Sequence, residues 1–389
     1  MPIFAHSCAS YNVNSFETGA ELARNIRNAF AGRPLPMIVA YSTVNHDQAA
    51  FLSGIREGAG PGIRVVGCSG QGVMSRGAVV EDGYAAGAMG LGGESLHTSI
   101  GHVEEFQVES GAKGTALGRA LVDGAKAPLR AVVVHYDPLC GADVEVFLKA
   151  LHEEVRCPIV GGAAGEFWGP MLQTFQYVDN RALSRGAVAA GLSGNFAIET
   201  DICHGTSPVG IEMTVTKAEA NKVLEFDGRP ALEVWQEFCS EAPEHIEHSG
   251  AIGIGLPTRD PDVYLVRCAF GVDTERQGVI FQAGIPVGSR VMFNHRTIQG
   301  AMDGTVAMGK RLAQRLTGKT VRAVLGFECG ARTKPFLGKD LTLKENLSFQ
   351  EAVAPQAEWL GMLAWGEVSL FDGNPGFVNF SYPVLALAD

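Results

Sequence analysis

No stretch of this chain offers the roughly eighteen unbroken apolar residues that a membrane-spanning helix requires. Basic charge is in deficit: 31 Lys and Arg stand against 42 Asp and Glu in 389 residues, a net charge of −11. Binding dominated by backbone phosphates needs clustered cations, so a nucleic-acid partner is not expected. Met1 to Tyr11 shows neither a basic nor an apolar leader segment, and no Cys-x-x-Cys pair occurs among the eight scattered cysteines. Free thiols in a reducing cytoplasm are the expectation. Glycine is abundant, 49 residues, yet without a Gly-X-Y period, which excludes collagen.

What is present is a globular pattern, 46% hydrophobic and 19% charged. PMIVAY (36–41) reads as a buried strand, 45–57 as a helix, IRVVGC (63–68) as a second strand, and 84–91 and 96–103 as two more. The order recurs: AVVVHY (131–136), a helix over 142–155, a strand at 158–161, then 186–192 and 196–204. GESLHTSIGH (93–102) aligns without gaps on NFAIETDICH (195–204). The fold class expected is mixed α/β in two packed domains. The N-terminal domain, 1–228, contains two related strand-helix-strand-plus-hairpin units at about 35–105 and 130–205; the C-terminal domain is 229–389.

Catalytic signatures are thin. Gly67-Cys68-Ser69-Gly70 departs from a Gly-x-Ser-x-Gly elbow and is followed by strand-like sequence, so a hydrolase using Ser69 or Cys68 remains only an alternative. Gly304 to Lys310 imitates a phosphate-binding loop, but Arg311 replaces the required hydroxyl. No Gly-x-Gly-x-x-Gly opens a helix after the first strand. His245 and His248 could meet on one helical turn, but Glu244 and Glu247 mark a polar face. Asp143, after a strand end, reads as an early helix residue. The chain is not expected to be an enzyme.

The block HGTSPVG (204–210), VTKA (215–218) and NKVLEFDGRPAL (221–232) resembles the FIST sensory family. Supporting matches are VGCS followed by Gly72 (66–72), GGAAG (161–165), Cys329-x-x-Arg332, Gly366-Glu367 and Asn379-Phe380-Ser381. The resemblance implies a two-part, cytoplasmic, usually bacterial ligand-sensing module without catalytic residues. With no output domain visible, it points to the stand-alone type, whose members include haem proteins that sense nitric oxide and regulate a partner histidine kinase. Relatives also accompany cyclic-dinucleotide signalling, and some are proposed to bind small polar ligands such as amino acids. Thr206 departs from the aromatic residue common after His-Gly, which bears on the ligand.

A haem sensor needs one imidazole facing an apolar slot. His204 is the first choice for the iron, at a strand end inside the most specific motif; the alternative is a histidine hydrogen-bonded to a neighbouring loop. His102, His135 and Cys203 are lesser candidates. Arg332 can clamp a carboxylate, from a haem propionate or an amino acid, with Glu367 beside it; alternatively the two form a structural ion pair. Gly67, Gly161 and Gly162 bring main-chain amides close to a ligand, or only make tight turns.

Overall fold

Every parallel strand pair at the centre of this protein is followed by a short hairpin that leaves for another sheet, and that exchange builds the molecule. The computed structural model describes residues 2–167, 172–239 and 252–389. Three six-stranded sheets share one strand order. The first runs Ile3–Ser10, Ala86–Gly93, Met37–Ser42, Arg64–Ser69 and then the hairpin Gln176–Val178/Arg181–Leu183. The second runs Leu96–Val103, Ala187–Gly194, Leu129–Tyr136, Ile159–Gly162 and the hairpin Glu367–Phe371/Asn374–Val378. The third runs Ala197–Cys203, Tyr382–Ala388, Val321–Cys329, Glu358–Ala364 and the hairpin Val73–Ser75/Ala78–Val80. In each, the third and fourth strands are parallel and the rest antiparallel.

Two related units are therefore present, Ile3–Gly93 and Leu96–Gly194, and a third joins them; the expected bounds, 35–105 and 130–205, each end one strand into the following unit. Each unit lends its hairpin to a neighbour, closing a ring with quasi-threefold symmetry. The strand pairs 86–93/96–103 and 187–194/197–203 are the joints between successive units: the two strands of each pair lie in different sheets. Likewise MLAWGEVSL, a single run in the sequence, is split between Glu358–Ala364 in one sheet and Glu367–Phe371 in another. A helix pair covers each sheet: Ser15–Phe30 with Gln48–Ala59, Ser110–Asp123 with Val144–Val155, and Ile298–Arg315 with Lys339–Val353. Four of the six starts follow from capping side chains: Asn14, Asp47, Asp143 and Thr297 each accept a main-chain N–H of the first turn. Asp143 is thus an N-cap.

The strands are continuous apolar runs because both faces are covered, one by helices and the other by the neighbouring units. At the centre, Tyr41, His135 and Phe327 occupy equivalent positions. Tyr41 Oη lies 3.2 Å from His135 Nε2, and the His135 and Phe327 rings are 5.8 Å apart. A three-membered circuit of main-chain bonds surrounds them: Gln71 N–H donates to Leu363 O at 3.0 Å, Trp365 N–H to Ala163 O at 3.3 Å, and Gly165 N–H to Ser69 O at 2.9 Å.

The third unit is interrupted. Between Ala197–Cys203 and Ile298–Arg315 the chain builds a separate antiparallel sheet with its own core, including Val215, Phe226, Trp235, Phe281 and Phe293. Its long strand Thr206–Glu219 pairs with Arg290–Arg296, so the insert leaves and returns side by side, Thr206 opposite Arg296.

Candidate functional site

The residues singled out by the sequence divide between two places, the quasi-threefold centre and the seam where the insert rests on the core. Gly67 and Gly161 belong to the centre. A Cβ on Gly67 would meet Ala40 O at 1.8 Å, and one on Gly161 would meet Val134 O at 2.0 Å. These are equivalent positions in two parallel strand pairs, so close strand approach is what requires glycine there. Gly162 accepts a hydrogen bond from the His135 ring at its carbonyl (3.1 Å), and a Cβ on it would meet Ala364 Cβ at 2.7 Å. All three pack strands together. Ser69 is fully buried, its hydroxyl donating to Gly165 O (2.8 Å) and accepting from Phe175 N (3.0 Å). The Cys68 thiol lies against Met362 Sδ, and burial pushes its pKa well up, which disfavours the nucleophilic thiolate. Asp137 gathers Leu139 N, Thr174 Oγ1 and Arg185 N, and so holds loops.

His204, Arg332 and Glu367 lie at the seam. His204 ends the strand from which the insert departs. Its Nδ1 accepts from the Thr206 N–H (3.0 Å) beside the Thr206 hydroxyl (2.8 Å), so the proton of the neutral ring sits on Nε2, which packs against the Asp262–Tyr264 main chain, 3.2 Å from Tyr264 N. Burial, then the Arg332 charge, lowers its pKa to about 4, so it is neutral at physiological pH. A haem iron requires one imidazole nitrogen turned to open space. Both nitrogens here are engaged by the neighbouring chain, so the arrangement does not fit an axial ligand; it is the loop-bonded histidine.

Arg332 is engaged at both terminal nitrogens, while its Nε, 3.5 Å from Glu328 Oε1, has no hydrogen bond among the described residues. Nη1 donates to His204 O (2.8 Å), and Nη2 to Ala301 O (3.1 Å), Thr305 Oγ1 (2.8 Å) and Glu345. Since His204 stands where the insert leaves and Ala301 in the helix to which it returns, one guanidinium ties both ends of the neck. Gly205 lies between, at φ +68°, where a Cβ would strike Ala301 Cα at 2.4 Å. Fully buried, Arg332 has no face to offer a ligand carboxylate. Nor does it pair with Glu367: its acidic partners are Glu328 and Glu345.

Glu367 accepts from Ser381 Oγ (2.8 Å), Ser381 N (3.2 Å) and Gly366 N (3.2 Å). Burial outweighs these bonds and lifts its pKa to about 8. Next along the motif, Phe380 lies 4.1 Å from the Arg296 guanidinium, whose other face meets Phe336 at 3.9 Å; Arg296 Nη2 donates to Ala331 O at 3.0 Å. Asn379 docks the insert: its Oδ1 accepts from Cys268 N (3.0 Å), its N–H donates to Val266 O (2.9 Å) and its amide donates to Gln282. Arg267, from the insert, reaches into the core to Glu145 and to Phe377 O. The sequence reading missed Arg267 and Arg296, whose only signal is an arginine closing a short apolar strand (YLVR, VMFNHR). It missed Glu328 and Glu345 as well.

Segments far apart in sequence (204–206, 329–332, 366–367 and 379–381) thus meet at one buried seam, and they are among the segments that carried the resemblance. A FIST N domain model matches residues 37–229, and a FIST C domain model matches 231–369. The chain belongs to the FIST family. FIST domains mark sensors in signal transduction. Over 391 aligned residues, spanning 96% of each chain, this FIST protein is 24% identical to an uncharacterized protein of Mycobacterium bovis. A second uncharacterized protein, from Methanocaldococcus jannaschii, is 26% identical over 242 residues, 59% of this chain and 44% of that one. Among solved structures, a cyanuric acid hydrolase from A. caulinodans aligns over 99% of both chains at 10% identity and a TM-score of 0.39, too remote to bear on fold or function. Among the described residues no helix is long and apolar enough to cross a membrane, and no group of three or more His, Cys, Asp or Glu is placed to hold a metal ion. His245 and His248 lie outside the described residues.

Proposed function

We propose that this FIST protein is a non-catalytic sensor of a small polar ligand, taken up at the seam, whose binding alters how the insert sits on the core. The observation that carries the reading is the convergence of four of the family-signature segments on that seam. Asn379 pins the insert, Phe380 stacks on Arg296, Ser381 holds Glu367, and Arg332 ties the neck. A seam crowded with buried polar groups from two separately cored parts is a place where modest ligand energy can shift a seating equilibrium. The change is passed to a partner signalling protein, a histidine kinase or a cyclic-dinucleotide enzyme, in a reducing cytoplasm where the eight free cysteines remain thiols.

Haem and nitric oxide belong to the resemblance, and the engaged ring of His204 argues for another ligand. Amino acids remain in the class, recognised by groups other than the fully buried Arg332. A thermal-shift screen over amino acids, other small organic acids and hemin tests the reading, since a ligand bound only by the native state raises apparent stability. The expected result is a stabilising polar compound that slows amide exchange in 204–206, 264–268 and 379–381. A Soret band on hemin addition that His204→Ala abolishes would replace this ligand class with haem. Turnover of a substrate abolished by Ser69→Ala or Cys68→Ala would overturn the non-catalytic reading.

A further inference from the structure

At the neck of the insert two carboxyl groups meet a single guanidinium. Glu328 and Glu345 are buried, with exposures of 0% and 1%, and both face the Arg332 guanidinium. Glu345 bonds Arg332 Nη2, and Glu328 Oε1 lies 3.5 Å from Arg332 Nε. Asn346 donates to Glu328 Oε2 at 3.0 Å and accepts from the Tyr382 hydroxyl at 2.8 Å. Thr305 donates to Glu345. The remaining titratable groups facing the cluster are the Cys203 thiol and the Tyr382 phenol, both held neutral by burial, and the neutral His204 ring, with Arg311 and Asp260 beyond it.

Among the described residues, Arg332 is the one cation in contact with the pair. If both carboxyls were ionised, one negative charge would stand uncompensated out of reach of water, which burial strongly disfavours. Glu328 Oε1 and Glu345 Oε2 are buried and lack a hydrogen-bond partner among the described residues, so each has a lone pair to spare. We propose that Glu328 and Glu345 form a proton-binding site that holds one shared proton in the folded protein, and that this proton keeps both ends of the insert tied through Arg332. With the proton bound, the pair carries one charge against one guanidinium. Without it, the excess charge draws water into the neck and loosens the bonds from Arg332 to His204 O and Ala301 O. This device is independent of which ligand the seam takes.

Infrared spectroscopy and amide exchange on the full chain test it, with Glu328→Gln and Glu345→Gln as variants. The wild type minus Glu328→Gln spectrum at about pH 7 is expected to show a protonated-carboxyl carbonyl band, absent at about pH 10. Glu367 contributes equally to both proteins and cancels. After correction for intrinsic exchange, amides of 203–206 and 298–305 are expected to exchange roughly tenfold faster once the band is lost, the equivalent of one pKa unit. Glu328→Gln, an uncharged stand-in for the protonated acid, should hold its neck closed across that range. Glu345→Gln, which removes the carboxylate partner of Arg332, should loosen it throughout. No band in the difference spectrum, or neck exchange in Glu328→Gln that follows pH as in the wild type, would overturn the proposal. Should the variants not fold, a wild-type neck whose corrected exchange ignores pH would overturn it equally.

Discussion

Arg332 Nη1 donates to the main-chain oxygen of His204 at 2.8 Å, so two residues that read as ligand-binding groups instead hold each other. The bond fixes the chain where the insert leaves the third unit, and the same guanidinium reaches Ala301, where the chain returns. Both residues act on the seam by positioning.

Removing Arg332 leaves Glu328 and Glu345 buried without a counter-ion. Arg332→Leu is expected to destabilise the fold by about 3–5 kcal/mol, the cost of breaking a buried pair on one side. Urea denaturation of the two proteins measures it. A loss below about 1 kcal/mol would show the cluster to be solvated in a way its burial does not suggest.

Close strand approach makes a second case. Gly67→Ala and Gly161→Ala should each destabilise by more than about 2 kcal/mol, because the new methyl strikes a carbonyl oxygen of the adjacent parallel strand. Gly304→Ala is the control: it lies in the helix Ile298–Arg315, the nearest atom to its Cβ is 3.6 Å away, and a stabilisation of about 0.5–1 kcal/mol is expected. Thermal denaturation of the three variants checks all of them.

Buried titratable groups give stability opposing slopes with pH. His46, His135 and His204 are held near pKa 4 by burial, below the unfolded 6.5. Their stabilising effect is complete above about pH 6.5 and is lost as pH falls toward 4, because the unfolded state takes up protons first. Glu367 acts the other way. Its folded value of about 8 exceeds the unfolded 4.5, so its contribution is complete below pH 4.5 and is lost as pH rises to about 8. Between pH 6.5 and 8 its downward slope is unopposed by the three histidines. Glu367→Gln should flatten that slope in a series of chemical denaturation curves, and an unchanged slope would place the titration elsewhere.

Asn379→Ala removes the side-chain acceptor for Cys268 N and the donor to Gln282. A destabilisation of about 1–3 kcal/mol is expected, with faster exchange confined to the seam, because a buried N–H loses its partner. Mass-spectrometric exchange of the variant checks where protection is lost.

Much of this architecture was legible in the residues. AVVVHY and PMIVAY announced their parallel strands, and the 93–102/195–204 alignment caught two of the joints between units. The third unit escaped because the insert separates its first strand, 197–203, from its helix at 298–315. AVLGFEC (323–329) occupies the place of AVVVHYD (131–137), but nothing in spacing connects them across that gap. The first strand and helix, Ile3–Ser10 and Ser15–Phe30, were passed over; the strand, at a sheet edge, alternates imperfectly between buried and half-buried residues. At the site, the motifs were legible but the partners of their side chains were not. Whether a guanidinium faces a ligand or a carbonyl depends on which segments converge, and Glu345 and Ala301 are brought to Arg332 only by tertiary packing.

The central claim is that the insert's seat on the core is the sensing element. The most direct measurement is the distance between spin labels on exposed insert and core positions, Arg276→Cys and Lys149→Cys, with and without the compound that most raises thermal stability. The account predicts a shifted or narrowed distance distribution on binding, with slower exchange at 204–206 and 379–381. A compound that stabilises the protein while leaving that distribution and the seam's exchange unchanged would contradict it.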